Sequence, residues 1–263
     1  MASVKREHHD RILDQFSRQA APFAASPQIR NEDALNRIVA MAAPAPDDVV
    51  LDVACGPGLL ACAFARVTRH VTGIDVTPKM LEQARALQQA EGLENLTWHQ
   101  GDVLPLPYAD ASFAIVSARF AFHHFLDPLA VLREMRRVCR GGGRVVVADS
   151  APELGKADAF NRMERLRDPS HVRALSPEEL VELFAVAGLP EPRLHRDLLP
   201  YELESLLARS FPKDGDADRI RQLFDESLQS DCLGVTAIRE DGKIRFSFPT
   251  AIVASTLPVF MTT

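Results

Sequence analysis

"VVLDVACGPGLLACAFA", Val49 to Ala65, joins an apolar run, a turn containing glycines and a second apolar run with no breaker inside it. The first run is rich in β-branched residues and reads as a buried strand; the second, built on Leu and Ala, reads as a helix. A strand that turns through glycines directly into a helix brings backbone N–H groups close to an anionic or nucleotide-like ligand. The stretch predicts an open α/β sheet with its ligand at the carboxyl ends of the strands.

Strand and helix alternate onward from this point. "HVTGIDV" ends near Asp75, and a helix follows at once, with Thr77 as N-cap, Pro78 in the first helical position and Gly92 at its end. "LTWHQGDV", "FAIVSA" and "RVVVADS" give three further strands, the last preceded by a basic helix and a triple glycine. Five strands at this rhythm predict a doubly wound sheet. Two short helices, around Asp10–Gln19 and Asn31–Ala42, precede it. Beyond it stand a capping box (Ser176, Pro177, Glu179), two helical segments, a hairpin turning at Asp241 and Gly242, and a closing strand in "TAIVAST".

Composition narrows the function. A net charge of −6 over 263 residues gives no general attraction to nucleic acid or to anionic membranes. In "LREMRRVCR", Arg133, Arg136, Arg137 and Arg140 share one helical face opposite Leu132, Met135 and Val138, the pattern of a solvated face. Four cysteines without metal-ligand spacing suit a reducing cytoplasm and imply no metal. The polar N-terminus lacks the apolar core of a signal peptide, and no apolar run nears the roughly 20 residues that span a bilayer. A small molecule is the expected partner; nothing in the sequence sets the oligomeric state.

Gly56-x-Gly58-x-x-Ala61 fits the dinucleotide fingerprint, and Asp75 stands about 20 residues on, where a nicotinamide dehydrogenase would place its ribose-binding acid. Asp52 weighs against that. A carboxylate four residues before Gly56 would oppose a pyrophosphate, yet suits the α-ammonium of an amino acid. In "GDV" (Gly101 to Val103), Asp102 is placed to accept from an adenine amino group.

Together with "LDVACGPG" and "RGGGRVVVADS", these motifs resemble the class I S-adenosylmethionine-dependent methyltransferases, in particular the ubiquinone/menaquinone C-methyltransferase-like superfamily. The resemblance is closest over Val49 to Ser150; Ala54 replaces the first glycine of the usual motif. It implies a Rossmann-like, mostly parallel seven-stranded sheet with an N-terminal helical lid over residues 1–45, a cofactor-binding core over 46–198 and C-terminal cap helices and closing strands over 199–263. The implied cofactor is S-adenosyl-L-methionine, leaving as S-adenosyl-L-homocysteine. The resemblance sets the backbone of Ala54, Gly56 and Gly58 beside the methionine portion, Asp75 on the ribose hydroxyls, and Val76 and Met80 on the adenine. Asp102 and Val103 meet the adenine edge, the backbone of Ser117 to Arg119 lines the methionine side, and Phe16 and Phe23 lie in the lid.

The acceptor is less defined. The [DNS]-P-P-[YF] motif of nucleobase amino-methylating enzymes is replaced by "SARFAFHH", which favours a small aromatic or heterocyclic metabolite methylated on C, N or O. Phe120, Phe122 and Phe125 add an apolar neighbourhood. His123, His124 and Asp149 fall at strand carboxyl ends; His124 and Asp149 are the candidate bases. "LRDPSHVR" resembles a segment found in part of the superfamily. Asp168 and Pro169 predict a turn that points Ser170, His171 and Arg173 toward the acceptor, with Arg167 or His171 touching it; a plain helix stop is the other reading. Alternatives with the same cofactor are cyclase, isomerase or decarboxylase chemistry, or a non-catalytic adenosylmethionine-binding protein.

Overall fold

The computed structural model describes residues 2–259. Its centre is one sheet, assembled from β1 (Val49–Val53), β2 (His70–Asp75), β3 (Leu96–Gln100), β4 (Phe113–Arg119), β5 (Cys139–Ser150), β6 (Arg193–Glu202), the short β7 (Ile238–Glu240) and β8 (Lys243–Thr256). The order is β3-β2-β1-β4-β5-β8-β6, with β7 hydrogen-bonded to β8. β1 to β5 are mutually parallel; β8 runs antiparallel to both β5 and β6. Chain order reverses between β1 and β4, and that switch point opens the crevice where such sheets bind ligands.

The near-continuous apolar runs of the sequence are explained by burial on both faces. Leu51, Val53, Val116, Ala118, Val145 and Val147 enter one core; Val50, Ile115, Val146 and Ala148 enter the other. A third core lies beyond the sheet's end. There Phe160, Met163, Tyr201, Leu206, Phe224, Phe246 and Phe248 pack α6 (Ala157–Arg167), α8 (Leu203–Ser210) and α9 (Asp216–Ser230) on the overhang of β8 and β6.

Several elements differ from the sequence expectation. One helix, α1 (Ala2–Ala24), replaces the first short helix and runs through Pro22 in its last turn. α2 (Glu32–Ala42) starts as expected, with the Asn31 side chain accepting from Ala34 N–H. The hairpin arm and closing strand fuse into the 14-residue β8. Pro249 permits this: its carbonyl accepts from Ala151 N–H, so its missing amide faces the edge where β5 has already ended. Thr77 caps α4 (Pro78–Ala90) by backbone only, whereas the Ser176–Glu179 capping box on α7 (Pro177–Val186) is complete. The arginine face is solvated at Arg133, Arg136 and Arg140, although α5 (Pro128–Val138) ends before Arg140 and Arg137 pairs with Glu134 and Asp110.

Arg140 and Arg144 both pair with the buried Asp48, which also caps Ala45 N–H and so anchors the segment that feeds β1. Removing this carboxylate strands Arg144. Asp48→Ala is expected to cost about 3 kcal/mol and to lower the thermal midpoint by roughly 6–12 °C. Arg140→Ala, at the half-exposed partner, should cost under about 1 kcal/mol in the same thermal unfolding measurement.

Candidate active site

At the carboxyl ends of β1, β2 and β4 a cavity of about 330 Å³ opens beneath α1. The glycine turn forms one wall. Ala54 and Gly56 both take φ of +52°, so the position where Ala54 stands does demand a left-handed backbone, which a Cβ makes costlier by about 1 kcal/mol. Cys55 sits between them; burial and then the charges of Asp75 and Asp52 push its thiol far up, and it is inert. Gly58 (φ +81°) lies behind the turn as N-cap of α3 (Leu59–Ala65) and not on the cavity. A Cβ there would come within 2.6 Å of the Trp98 ring and 2.9 Å of Ala84, so its glycine serves packing.

Asp75 ends β2 and lines the cavity. Its Oδ2 accepts from Gly56 N–H and its Oδ1 from Thr77 N–H, both at 2.8 Å. Burial raises its pKa and these two donors hold the rise in check. Val76 and the fully buried Met80 continue this wall. Asp102 and Val103 close it; Asp102 Oδ1 accepts from Val103 N–H at 2.6 Å and Leu104 N–H at 3.2 Å. Gly101 does not reach the cavity: its N–H is tied to Asp75 O and Ile74 fills the space beside its Cα.

The other end of the cavity carries opposite charges. Asp52, 1% exposed, accepts from Ser117 Oγ at 2.9 Å, and burial lifts its pKa to about 7. Ser117 itself is wholly buried and acts through Asp52. Arg119 donates through Nη1 to Ile29 O at 2.9 Å and lies 4.7 Å from the Phe120 ring centroid. Its Nε and Nη2 are buried with no hydrogen-bond partner. Burial lowers its pKa to about 10, so it stays cationic. Two unmet guanidinium donors beside a buried carboxyl match, in chemistry, the two charges of an α-amino acid zwitterion.

α1 forms the roof with Lys5, His8, His9, Ile12, Phe16 and Phe23. His8 Nε2 donates to His124 O at 2.7 Å, and Gln15 and Gln19 donate to Ser210 O. Lys5, His8, His9 and Ile12 were not legible as site residues: they lie in a stretch that reads as polar terminus. The spacing Lys5, His8, Ile12, Phe16, Phe23 is the signal that one helical face points inward.

His124 lines the cavity with Phe16 edge-on at 4.9 Å. Ser170 Oγ donates to Asp168 Oδ1, so both Ser170 oxygens near His124 Nδ1 (3.1 Å each) are acceptors. Nδ1 therefore carries the proton and Nε2 the lone pair. Burial, then the neighbouring His123, drives the His124 pKa down to about 3; the ring is neutral. Asp149 does not line the cavity. It accepts from His123 N–H at 2.9 Å, from Ser150 N–H, and pairs with His123 Nδ1 at 2.5 Å. Burial opposes charge on His123, but the charge of Asp149 and its hydrogen bond outweigh that and raise the pKa.

The turn after α6 points inward rather than toward the cavity. Ser170 is tied to Asp168, His171 Nε2 to Asn161 Oδ1 at 2.7 Å, and Arg173 to Glu179. His171 lies off the cavity, its pKa pushed far down by burial and its histidine and arginine neighbours. The helix-stop reading describes this segment. Among the described residues no cluster of His, Cys, Asp or Glu is arranged to hold a metal ion.

Comparison with known proteins places this geometry. Residues 51–147 match the methyltransferase domain family. An uncharacterized methyltransferase, YcgJ of Bacillus subtilis, is 34% identical over 211 residues, covering 80% of this chain and 82% of the relative. The ubiquinone/menaquinone biosynthesis C-methyltransferase UbiE of Bdellovibrio bacteriovorus is 42% identical over 104 residues, 39% of this chain and 44% of its own. The crystal structure of YcgJ superimposes with a TM-score of 0.78 at 27% identity, over 87% of this chain and all of that one.

The buried Asp52 generates a pH prediction. Its pKa rises on folding from 3.8 to about 7, so its stabilising share is full below the unfolded value and is lost as pH climbs through 7. Relative to Asp52→Asn, the ligand-free wild type should lose up to about 4 kcal/mol between pH 4 and pH 8 in urea unfolding. A constant difference across that range would show that the carboxyl does not titrate there. With its residues 51–147 matching the family and a relative 34% identical over 80% of the chain, the chain belongs to the S-adenosylmethionine-dependent methyltransferases of the methyltransferase domain family.

Proposed function

We propose that the protein transfers a methyl group from S-adenosylmethionine to a small aromatic or heterocyclic metabolite. The observation that carries this is the pairing, in one cavity, of a zwitterion receptor (Asp52, Arg119) with a ribose-facing carboxylate (Asp75) and a phenylalanine-rich roof. Arg119 Nε and Nη2 fit the methionine carboxylate and Asp52 its ammonium. Asp75 has a second lone pair on each oxygen for the ribose diol, Val76 and Met80 pack on the adenine, and Asp102 with Val103 meets its edge. The backbone of Ala54 and Gly56 runs beside the methionine portion. When bound, the cofactor supplies a methyl group on a sulfonium that departs in an in-line displacement.

The chain then orients the acceptor, excludes water and takes a proton where the acceptor must lose one. Phe16, Phe23, Phe120 and Phe125 offer the apolar surface for a ring. Asp149 holds the His123 imidazole by Nδ1 and so acts as a positioning residue, with His123 the proton acceptor; His124 stays neutral and packs against the His123 ring. Residues 1–45 serve as the lid, 46–198 as the cofactor-binding core and 199–263 as the cap. The four free cysteines suit a reducing cytoplasm, and no described helix is long and apolar enough to cross a membrane.

Calorimetric titration with S-adenosylhomocysteine tests the receptor. Asp75→Ala should weaken binding by about 100-fold or more, two hydrogen bonds to a charged group being lost. Near pH 6, wild-type binding should release a proton as the ligand's ammonium ionises Asp52, and Asp52→Asn should abolish that release. Binding of NAD but not of S-adenosylhomocysteine would refute the reading. With an acceptor found by mass gain of one methyl, His123→Asn should lower kcat about 100-fold or more while leaving homocysteine affinity unchanged, if a proton is removed.

A further inference from the structure

A second cavity, of about 70 Å³, adjoins the first across a shared wall of Phe16, Phe23, Ile29, Phe120 and His124. It is built largely from the C-terminal third and from α6: Glu164, Arg167, Tyr201, Arg209 and Phe248 line it, together with His123. At roughly a fifth of the first cavity's volume, it is the smaller of two adjoining spaces, and the larger one is better suited to a ring.

The polar groups around it are unequally satisfied. Each carboxylate is already engaged. Both oxygens of Glu164 accept from Arg167, at 2.7 and 2.6 Å. Asp168 accepts from Ser170 N–H and Oγ, and Asp149 from His123. Arg209 stands apart. It has no ion pair among the described residues, and its Nη2 is buried without a hydrogen-bond partner. Its guanidinium lies 5.3 Å from the Tyr201 ring centroid, and the positive charges of Arg209, Arg167 and Arg119 all bear on the Tyr201 hydroxyl. The unmet atom in this annex is a donor, not an acceptor. A buried guanidinium N–H without a partner costs stability unless a ligand supplies an oxygen.

We propose that the annex is an anion subsite for the methyl acceptor: Arg209, with Tyr201, grips a carboxylate carried by the acceptor, whose ring lies among Phe16, Phe23, Phe120 and Phe125. The planar fork of the guanidinium matches a carboxylate, and the annex, the smaller of the two spaces, suits that group. The acceptor is therefore an aromatic or heterocyclic acid. Because Arg209 and Arg119 lie on opposite sides of the shared wall, each takes one anion, Arg119 that of the cofactor and Arg209 that of the acceptor. This rests on the methyltransferase reading for its use, but not for its existence.

The full-length protein, saturated with S-adenosylhomocysteine so that Arg119 is occupied, is titrated with benzoate and with its neutral isostere benzamide by ligand-observed NMR. Benzoate should bind at least about tenfold more tightly, the gain expected of one charge-assisted contact. Arg209→Gln should remove the preference and Tyr201→Phe should reduce it, both with homocysteine affinity intact. Equal affinities in the wild type, binding of neither probe, or a preference that survives Arg209→Gln would overturn the subsite. The wild-type comparison decides even where a variant fails to fold. Failure to bind S-adenosylhomocysteine, with a benzoate preference that Arg209→Gln still removes, would refute the methyltransferase reading and leave the anion subsite standing.

Discussion

Asp75 is the constraint on which the site depends. One carboxylate receives the amide of the glycine turn after β1 and the amide that starts α4 after β2, so two loops from adjacent strands are set by a single side chain. Burying that carboxylate is unfavourable, and two N–H donors compensate it only in part. The remaining lone pairs are held, dry and oriented, at the mouth of the crevice. The packing behind the turn serves the same end. Gly58 and Gly73 leave space for the Trp98 ring, and Trp98 Nε1 donates to Gln88, which seats α4 against β3.

The strand core was legible in the sequence because central strands such as β1 and β4, covered on both faces, must be apolar throughout, while the edge strand β3 was marked by its place in the strand–helix rhythm. The glycine turn, Asp52, Asp75 and Asp102 were legible for a related reason: each lies within a few residues of a strand end, and the sheet fixes where strand ends go. Ala54 shows the same logic, since only a turn that needs a left-handed backbone explains its φ of +52°.

What escaped the sequence is made of long-range contacts between polar groups. His8 reaches His124 O across 116 residues, and Gln15 reaches Ser210 O across 195. Nothing local distinguishes those residues from a solvated helix face. His123 and His124 are adjacent, yet one is pushed toward charge by Asp149 and the other held neutral by burial, a division set by which ring meets the end of β5. The polar cluster in "LRDPSHVR" turned inward because Asp168 and Asn161 satisfy Ser170 and His171 at home.

The latches of α1 have a further consequence. His8, Gln15 and Gln19 all donate to main-chain carbonyls, those of residues 124 and 210, and not to side chains. Every amino acid presents the same carbonyl. The roof thus stays docked whatever side chains occupy those two positions, while the same positions face the chamber and its annex. Substitution there can reshape what the chamber accepts without unlatching the helix that seals it. Closure is written in the backbone and selectivity in the side chains, so the two are free to drift independently.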